Sequence, residues 1–229
     1  VFQIARKALI KLEEIDKNLR NNRALVFAAS LLHDLGHGPM SHTGEEIFCI
    51  NHEQWSAKVI QSESSIKDPL EKFKKGLSNE VAELLFASKN THDLTKSLIS
   101  SQLDCDRLDY LLRDSYSTGT NYGQLDLERI LSALTIAPDG DIAIHPKGLM
   151  AVEHYLVVRN LMYRSVYNHR INEVCNWILQ KLITTAKELG PKKIWADDIM
   201  AKWLWEPEKI DLKTFLGNDD IRTGYHLLR

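Results

Sequence analysis

No apolar run in this sequence approaches the ~18 residues that a membrane-spanning helix needs, and its first residues lack the pattern of a secretory signal. Cysteine is scarce. Cys49, Cys105 and Cys175 are dispersed, odd in number and never in Cys-x-x-Cys spacing. That argues against a disulfide framework or a cysteine-rich zinc site, and with the missing signal it leads to the expectation of a cytoplasmic protein without membrane partners. Net charge is scarce as well: 29 Lys and Arg face 31 Asp and Glu, a formal charge of −2. A domain that tracks nucleic acid by charge alone is therefore not expected, and the short runs "EKFKK" and "GPKK" read as solvated faces. Repeats and low-complexity segments are missing too. What remains is 229 residues, 44% hydrophobic and 26% charged, the balance of one globular domain with a substantial core.

Hydrophobic periodicity predicts a mostly α protein. The opening "VFQIARKALIKLEEI" places Val1, Ala5, Ala8, Leu12 and Ile15 at helical spacing. A second helix is expected from about Asn22 through "RALVFAASLLHDL" to Gly36, a residue type common just past a helix end. Shorter helices follow over "SHTGEEIF", "EQWSAKVI" and "NEVAELLF", then a long one over "LTKSLISSQLDCDRLDYLLRDS". "LTIAPDGDIAIH" alternates around a Pro-Asp-Gly turn and is the one clear β-hairpin signal. The longest helical run is expected from about Gly148 to Leu189, where "GP" ends it. Short helices over "WADDIMAKWLWEP" and "NDDIRTGYHLLR" close the chain. The organisation expected is a core over residues 1–190 and the start of a helical extension over 191–229, with both ends of the sequence cut within an element.

Three constellations carry chemistry. In "SLLHDLGHGPMSHTGEEIF", His33 and Asp34 stand together, followed by His37 and His42. Imidazole and carboxylate are costly to bury unpaired, and this donor mixture suits a borderline or hard divalent metal. A lone His-Asp pair is more often a capping or hydrogen-bonding pair than a metal site, and it is the neighbouring motifs that shift the balance. In "SSQLDCDRLDYLLRDS", Asp106, Tyr110 and Asp114 recur every four residues beside Arg107, opposite Leu108, Leu111 and Leu112. This stripe fits either a surface laced with ion pairs or a pocket that holds metal and phosphates together. In "VVRNLMYRSVYNHR", Arg159, Tyr163, Tyr167 and Arg170 form a second stripe: guanidinium for phosphate oxygens, phenol for a base or sugar. Half-buried packing is the plainer reading of those tyrosines. His52-Glu53 adds a further pair; beside a metal such histidines could supply proton transfer, although a solvated or locally bonded histidine is the default reading of any one of them.

Read together, "LLHDLGHGPMSH", "HE", "LDCDRLDYLLRDS" and "VRNLMYRSVYNHR" resemble the HD-domain phosphohydrolases, and within them the deoxynucleoside triphosphate triphosphohydrolase branch, over about Val1 to Arg170. The resemblance implies an HD helical bundle, here with one small hairpin. It implies a divalent metal (Mn, Fe, Mg, Ni or Zn) on His33, Asp34, Asp106 and a further histidine expected just upstream of Val1. His42, His52 and Glu53 correspond to the catalytic residues. His37, Arg107, Tyr110, Asp114, Arg159 and Tyr167 correspond to residues around the phosphates, sugar and base, with Tyr163 on the same stripe. The implied reaction turns a dNTP into deoxynucleoside and inorganic tripolyphosphate, in a homo-oligomer. A phosphodiesterase or alarmone hydrolase on the same scaffold, or a nucleotide sensor without turnover, remains open.

Overall fold

The computed structural model describes residues 1–86 and 94–228. In chain order the helices are α1 (Phe2–Glu13), α2 (Arg23–Leu32), α3 (Ser41–Phe48), α4 (His52–Ser62), α5 (Ser64–Phe73), α6 (Leu77–Phe86), α7 (Leu94–Ile99), α8 (Cys105–Thr118) and α9 (Leu127–Ser132). Strands β1 (Leu134–Ile136) and β2 (Ile142–Ile144) come next, then α10 (Leu149–Met162), α11 (Arg170–Leu189), α12 (Asp198–Trp205), α13 (Leu212–Leu216) and α14 (Asp220–Leu227). The expected class holds: a mostly helical protein with one small antiparallel hairpin. Among the described residues, no helix is long and apolar enough to cross a membrane. The chain folds as two compact units, residues 1–33 with 60–169 and residues 34–59 with 170–229.

In the first unit, the i, i+3, i+4 pattern of α1 buries Ile4, Ala5, Ala8, Leu9 and Leu12. Ile15 departs from the expected stripe. The helix ends at Glu13, so the period no longer applies and Ile15 is exposed. Glu13 itself is buried and holds Arg23 of α2 by two parallel hydrogen bonds of 2.6 Å. The single long helix expected through "LTKSLISSQLDCDRLDYLLRDS" is two helices. Asp104 is extended (φ −92°, ψ 168°), and its carboxylate accepts from the Arg107 amide at 2.7 Å and the Ser101 amide at 2.9 Å. This N-cap starts α8 afresh. In the hairpin, Leu134 faces Ile144, Thr135 faces Ala143 and Ile136 faces Ile142. Gly140, at φ +89°, makes the left-handed corner of its turn.

The helix expected to run unbroken from Gly148 to Leu189 is interrupted. Tyr163–Tyr167 form a π turn, in which the Asn168 amide reaches back to the Tyr163 carbonyl at 2.8 Å. The segment holds no proline or glycine, so nothing in its composition announces the break.

The second unit packs aromatic side chains. Trp203, 1% exposed, meets Phe48 edge-on with ring centres 5.1 Å apart, and Trp55 stacks on Phe215 at 4.1 Å. Asp197 caps α12 through the Ile199 and Met200 amides. The Lys187 ammonium of α11 donates to the Ile47 carbonyl at 2.9 Å, bracing the end of α3. The expected "NDDIRTGYHLLR" helix is α14; its last residue, Arg229, lies outside the described residues.

Candidate active site

The histidine-aspartate doublet stands just past the end of α2. His33 is the C-cap residue (φ −60°, ψ −33°), and α2 stops before it rather than running to Gly36. The reason lies at Gly36. Its amide donates to Ser56 Oγ at 2.8 Å, and a Cβ there would fall 2.0 Å from the His52 carbonyl. The chain must turn, and only glycine fits.

In the first unit, the fold brings His33 to Asp106 on the first turn of α8, Nε2 to Oδ1 at 3.4 Å. The side chains are 15% and 33% exposed, so the pair is reachable yet shielded. An imidazole nitrogen and a carboxylate oxygen at this separation are the donor chemistry of a borderline or hard divalent cation, and the pair fits one. Asp34 follows His33 directly and begins the second unit. The two acids of "DCD" have different jobs. Asp104 is 4% exposed and occupied by the cap, with burial pushing its carboxyl above the usual range, whereas Asp106 faces His33. Between them, burial pushes the Cys105 thiol up to about 12, which makes it inert packing.

The two aromatic and basic stripes meet in this unit. Tyr167 donates its hydroxyl to Asp114 Oδ2 at 2.7 Å, and its ring packs edge-on against Tyr110 (5.8 Å) and Tyr163 (5.1 Å). Burial raises the Tyr110 and Tyr167 phenols, and hydrogen bonds with Tyr163 and Asp114 respectively add to it, so both stay protonated donors. The Arg159 guanidinium lies 5.6 Å over the Tyr163 ring and donates to Gln102 Oε1 at 3.3 Å. Arg107 donates to the Ser101 carbonyl and lies 3.7 Å from Asp104, which fixes its root beside Asp106. Two arginines, three phenols and one carboxylate thus share a face. The π turn sets Tyr163 and Tyr167 on it.

In the second unit, His37, His42, Glu45 and His52 bring their ligand-type atoms within 4.8 Å of one another. Glu45 is the hub. Its Oε2 meets His42 Nδ1 at 3.0 Å, and its Oε1 meets His52 Nδ1 at 2.6 Å and the His52 amide at 2.5 Å. Burial works to raise the Glu45 carboxyl, but the hydrogen bonds from His42 and His52 outweigh it and hold the group below the usual range. His37 stacks on His52 at 4.3 Å, and burial, with the charge of His52, pulls its pKa down. The His37 Nε2 lies 3.7 Å from Asp34 Oδ1. Glu53 is not in this group; it is exposed on the first turn of α4. The carboxylate on His52 is therefore Glu45. Its i, i+3 spacing from His42 was the available signal, because it places both on one face of α3.

The first unit offers a metal-type donor pair and a face for an anionic nucleotide-like ligand; the second, by itself, offers imidazoles oriented by a shared carboxylate. Residues 1–114 match the HD domain, and residues 125–217 match the HD associated region. His33, Asp34, His37, His42, Glu45, His52 and Asp106 fall in the first segment and Arg159, Tyr163 and Tyr167 in the second. The chain is 41% identical over 169 residues to the Bacillus subtilis protein YwfO, covering 74% of this chain and 39% of that one. It is 35% identical over 189 residues to a Methanocaldococcus jannaschii protein, covering 81% and 39%. The chain thus spans about two-fifths of the length of the curated relatives it matches. Among solved structures, a phosphohydrolase from Bacteroides thetaiotaomicron superposes with a TM-score of 0.78 at 29% identity, over 96% of this chain and 56% of that one. An Aquifex aeolicus protein shares the fold, with a TM-score of 0.72 at 24% identity over 100% of this chain and 56% of its own. In sequence and in fold, the chain is an HD domain joined to an HD-associated region.

Proposed function

We propose that the protein is a metal-dependent phosphohydrolase whose substrates are deoxynucleoside triphosphates and whose products are deoxynucleoside and inorganic tripolyphosphate. The observation that carries this reading is α8. It sets Asp106 against His33 and, on the same helix, presents Arg107, Tyr110 and Asp114, the last holding Tyr167, so one metal-type donor and several nucleotide-type contacts come from a single element. The neighbour called a phosphohydrolase supports the reaction class.

Hydrolysing a phosphoester at a useful rate requires on the order of 20 kcal/mol of barrier lowering. General acid–base help contributes about 10²–10⁴-fold and is insufficient alone. His33, Asp34 and Asp106 would hold the divalent ion, which when bound supplies Lewis-acid neutralisation of the phosphoryl charge. Arg107 and Arg159, with His37, bind and orient the triphosphate oxygens. Water adds to the α-phosphorus, and the bond from that phosphorus to the 5′-oxygen breaks. His42 gives its Nε2 proton to the departing 5′-oxygen while Glu45 holds its Nδ1, and His52 shares the same carboxylate. Asp114 and the tyrosines receive sugar and base. Their protonated phenols donate hydrogen bonds without adding negative charge near the phosphates.

Incubating the protein with each dNTP and Mn²⁺, and resolving products by chromatography, tests the reading. Deoxynucleoside with tripolyphosphate is expected, lost in Asp106→Ala. Stepwise release of single phosphates, or full activity in Asp106→Ala, contradicts it.

A further inference from the structure

We propose that Asp220 is a positioning residue for His42, acting through the backbone of Met40; the consequence for turnover rests on the reading of His42 as proton donor. The chain approaches His42 through two successive residues in the left-handed region, Met40 (φ 61°, ψ 18°) and Ser41 (φ 50°), neither of them glycine. Side-chain-bearing residues rarely adopt this conformation, and two in a row persist only where the surroundings impose them.

The surroundings are visible. The Ser41 amide bonds the Gly38 carbonyl at 3.1 Å, and the Gly44 amide bonds the Met40 carbonyl at 3.3 Å. Pro39 has no amide hydrogen, so Met40 provides the first N–H after His37 and Gly38 that can anchor the turn from outside. That N–H donates to Asp220 Oδ1 at 2.7 Å. Asp220 stands on the first turn of α14 but is not needed as its cap, because Asp219 already accepts from the Arg222 amide at 2.8 Å. A second anchor lies close by: a Cβ on Gly38 would come within 2.8 Å of the Trp203 ring, so the turn lies directly on α12.

The helices of residues 198–227 therefore clamp the turn that aims His42 at its place on α3, where Glu45 receives it. Without the carboxylate, the cheapest relaxation returns Met40 and Ser41 to the right-handed or extended regions. That swings the first turn of α3 and takes His42 away from Glu45. Asp220 lies outside both segments that match the family models, residues 1–114 and 125–217.

Three variants test it: Asp220→Ala, Asp220→Asn, which keeps an acceptor oxygen, and Asp220→Ala with Met40→Gly, in which the left-handed backbone carries no side-chain penalty. The readouts are hydrogen exchange at the Met40 amide, the His42 ring signals by NMR, and kcat and KM with dNTP and Mn²⁺. In Asp220→Ala, Met40 exchange should accelerate, the His42 signals should shift, and kcat should fall about 10–100-fold with KM little changed. Asp220→Asn should recover most of the rate, and Met40→Gly should recover part of it. Unchanged Met40 exchange and kcat in Asp220→Ala overturn the proposal. So does a loss that Asp220→Asn does not repair, since that makes the charge, not the acceptor, the active feature. If the wild-type protein hydrolyses no dNTP while Met40 and His42 respond as described, the clamp stands and the dNTP-hydrolase reading falls.

Discussion

Glu45 holds two imidazoles on one carboxylate, a different oxygen for each. A carboxylate that accepts from both Nδ1 atoms fixes both rings with their Nε2 atoms turned away from it, available to a substrate. Glu45→Gln preserves shape but offers only one acceptor oxygen, so one imidazole loses its orientation. We expect kcat to fall about 10–100-fold with KM nearly constant, read by steady-state hydrolysis. Glu53→Gln, on the exposed side of α4, should change little by the same assay. Tyr167→Phe removes the hydroxyl from Asp114 and should weaken nucleotide binding by about 1 kcal/mol, roughly fivefold in Kd, measured by calorimetry with a non-hydrolysable dNTP. His33, Asp34 and Asp106 can be picked out in the sequence as metal-type donors because donor chemistry belongs to the residue itself, and the resemblance is what singles out Asp106 from the two acids of "DCD". Glu45 is harder to see because its role depends on where α3 meets the start of α4.

The element that matters most is α8. Its four-residue recurrence of Asp106, Tyr110 and Asp114 is legible because a helix maps sequence spacing directly onto one face. Its start is also encoded, since Asp104 followed three residues later by the Arg107 amide is a capping arrangement, yet apolar periodicity on both sides disguises the break. Asp104→Ala should lower stability by about 1–2 kcal/mol in urea titrations, while Asp104→Asn should cost much less. Because the cap sits two residues before Asp106, the Ala variant should also bind Mn²⁺ more weakly, read by electron paramagnetic resonance. The π turn at Tyr163–Tyr167 has no local signature. It arises from packing, and so do the left-handed Met40 and Ser41, whose restraint comes from Asp220 far along the chain. Local rules reach caps, stripes and hairpins, but not contacts between distant segments.

For the molecule as a whole, α1 and α2 are tied by Glu13 and Arg23. The hydrogen bonds from Arg23 hold the Glu13 carboxyl below its ordinary value of 4.5 despite burial. A depressed folded value means that the contribution is fully present above about pH 4.5 and is lost as pH falls through the folded value beneath it. The stability gap between wild type and Glu13→Gln should therefore be large at pH 7 and shrink on acidification towards pH 3, followed by denaturation midpoints. An unchanged gap would mean that the pair adds nothing through its charge. The central claim concerns the whole assembly of donors, arginines and phenols, namely that water attacks the α-phosphorus of a dNTP. It is tested most directly by running the reaction with Mn²⁺ in ¹⁸O-labelled water and weighing the products by mass spectrometry. The account predicts one label in intact tripolyphosphate and none in the deoxynucleoside. Label in the deoxynucleoside, or label distributed over pyrophosphate and a nucleoside monophosphate, would contradict it.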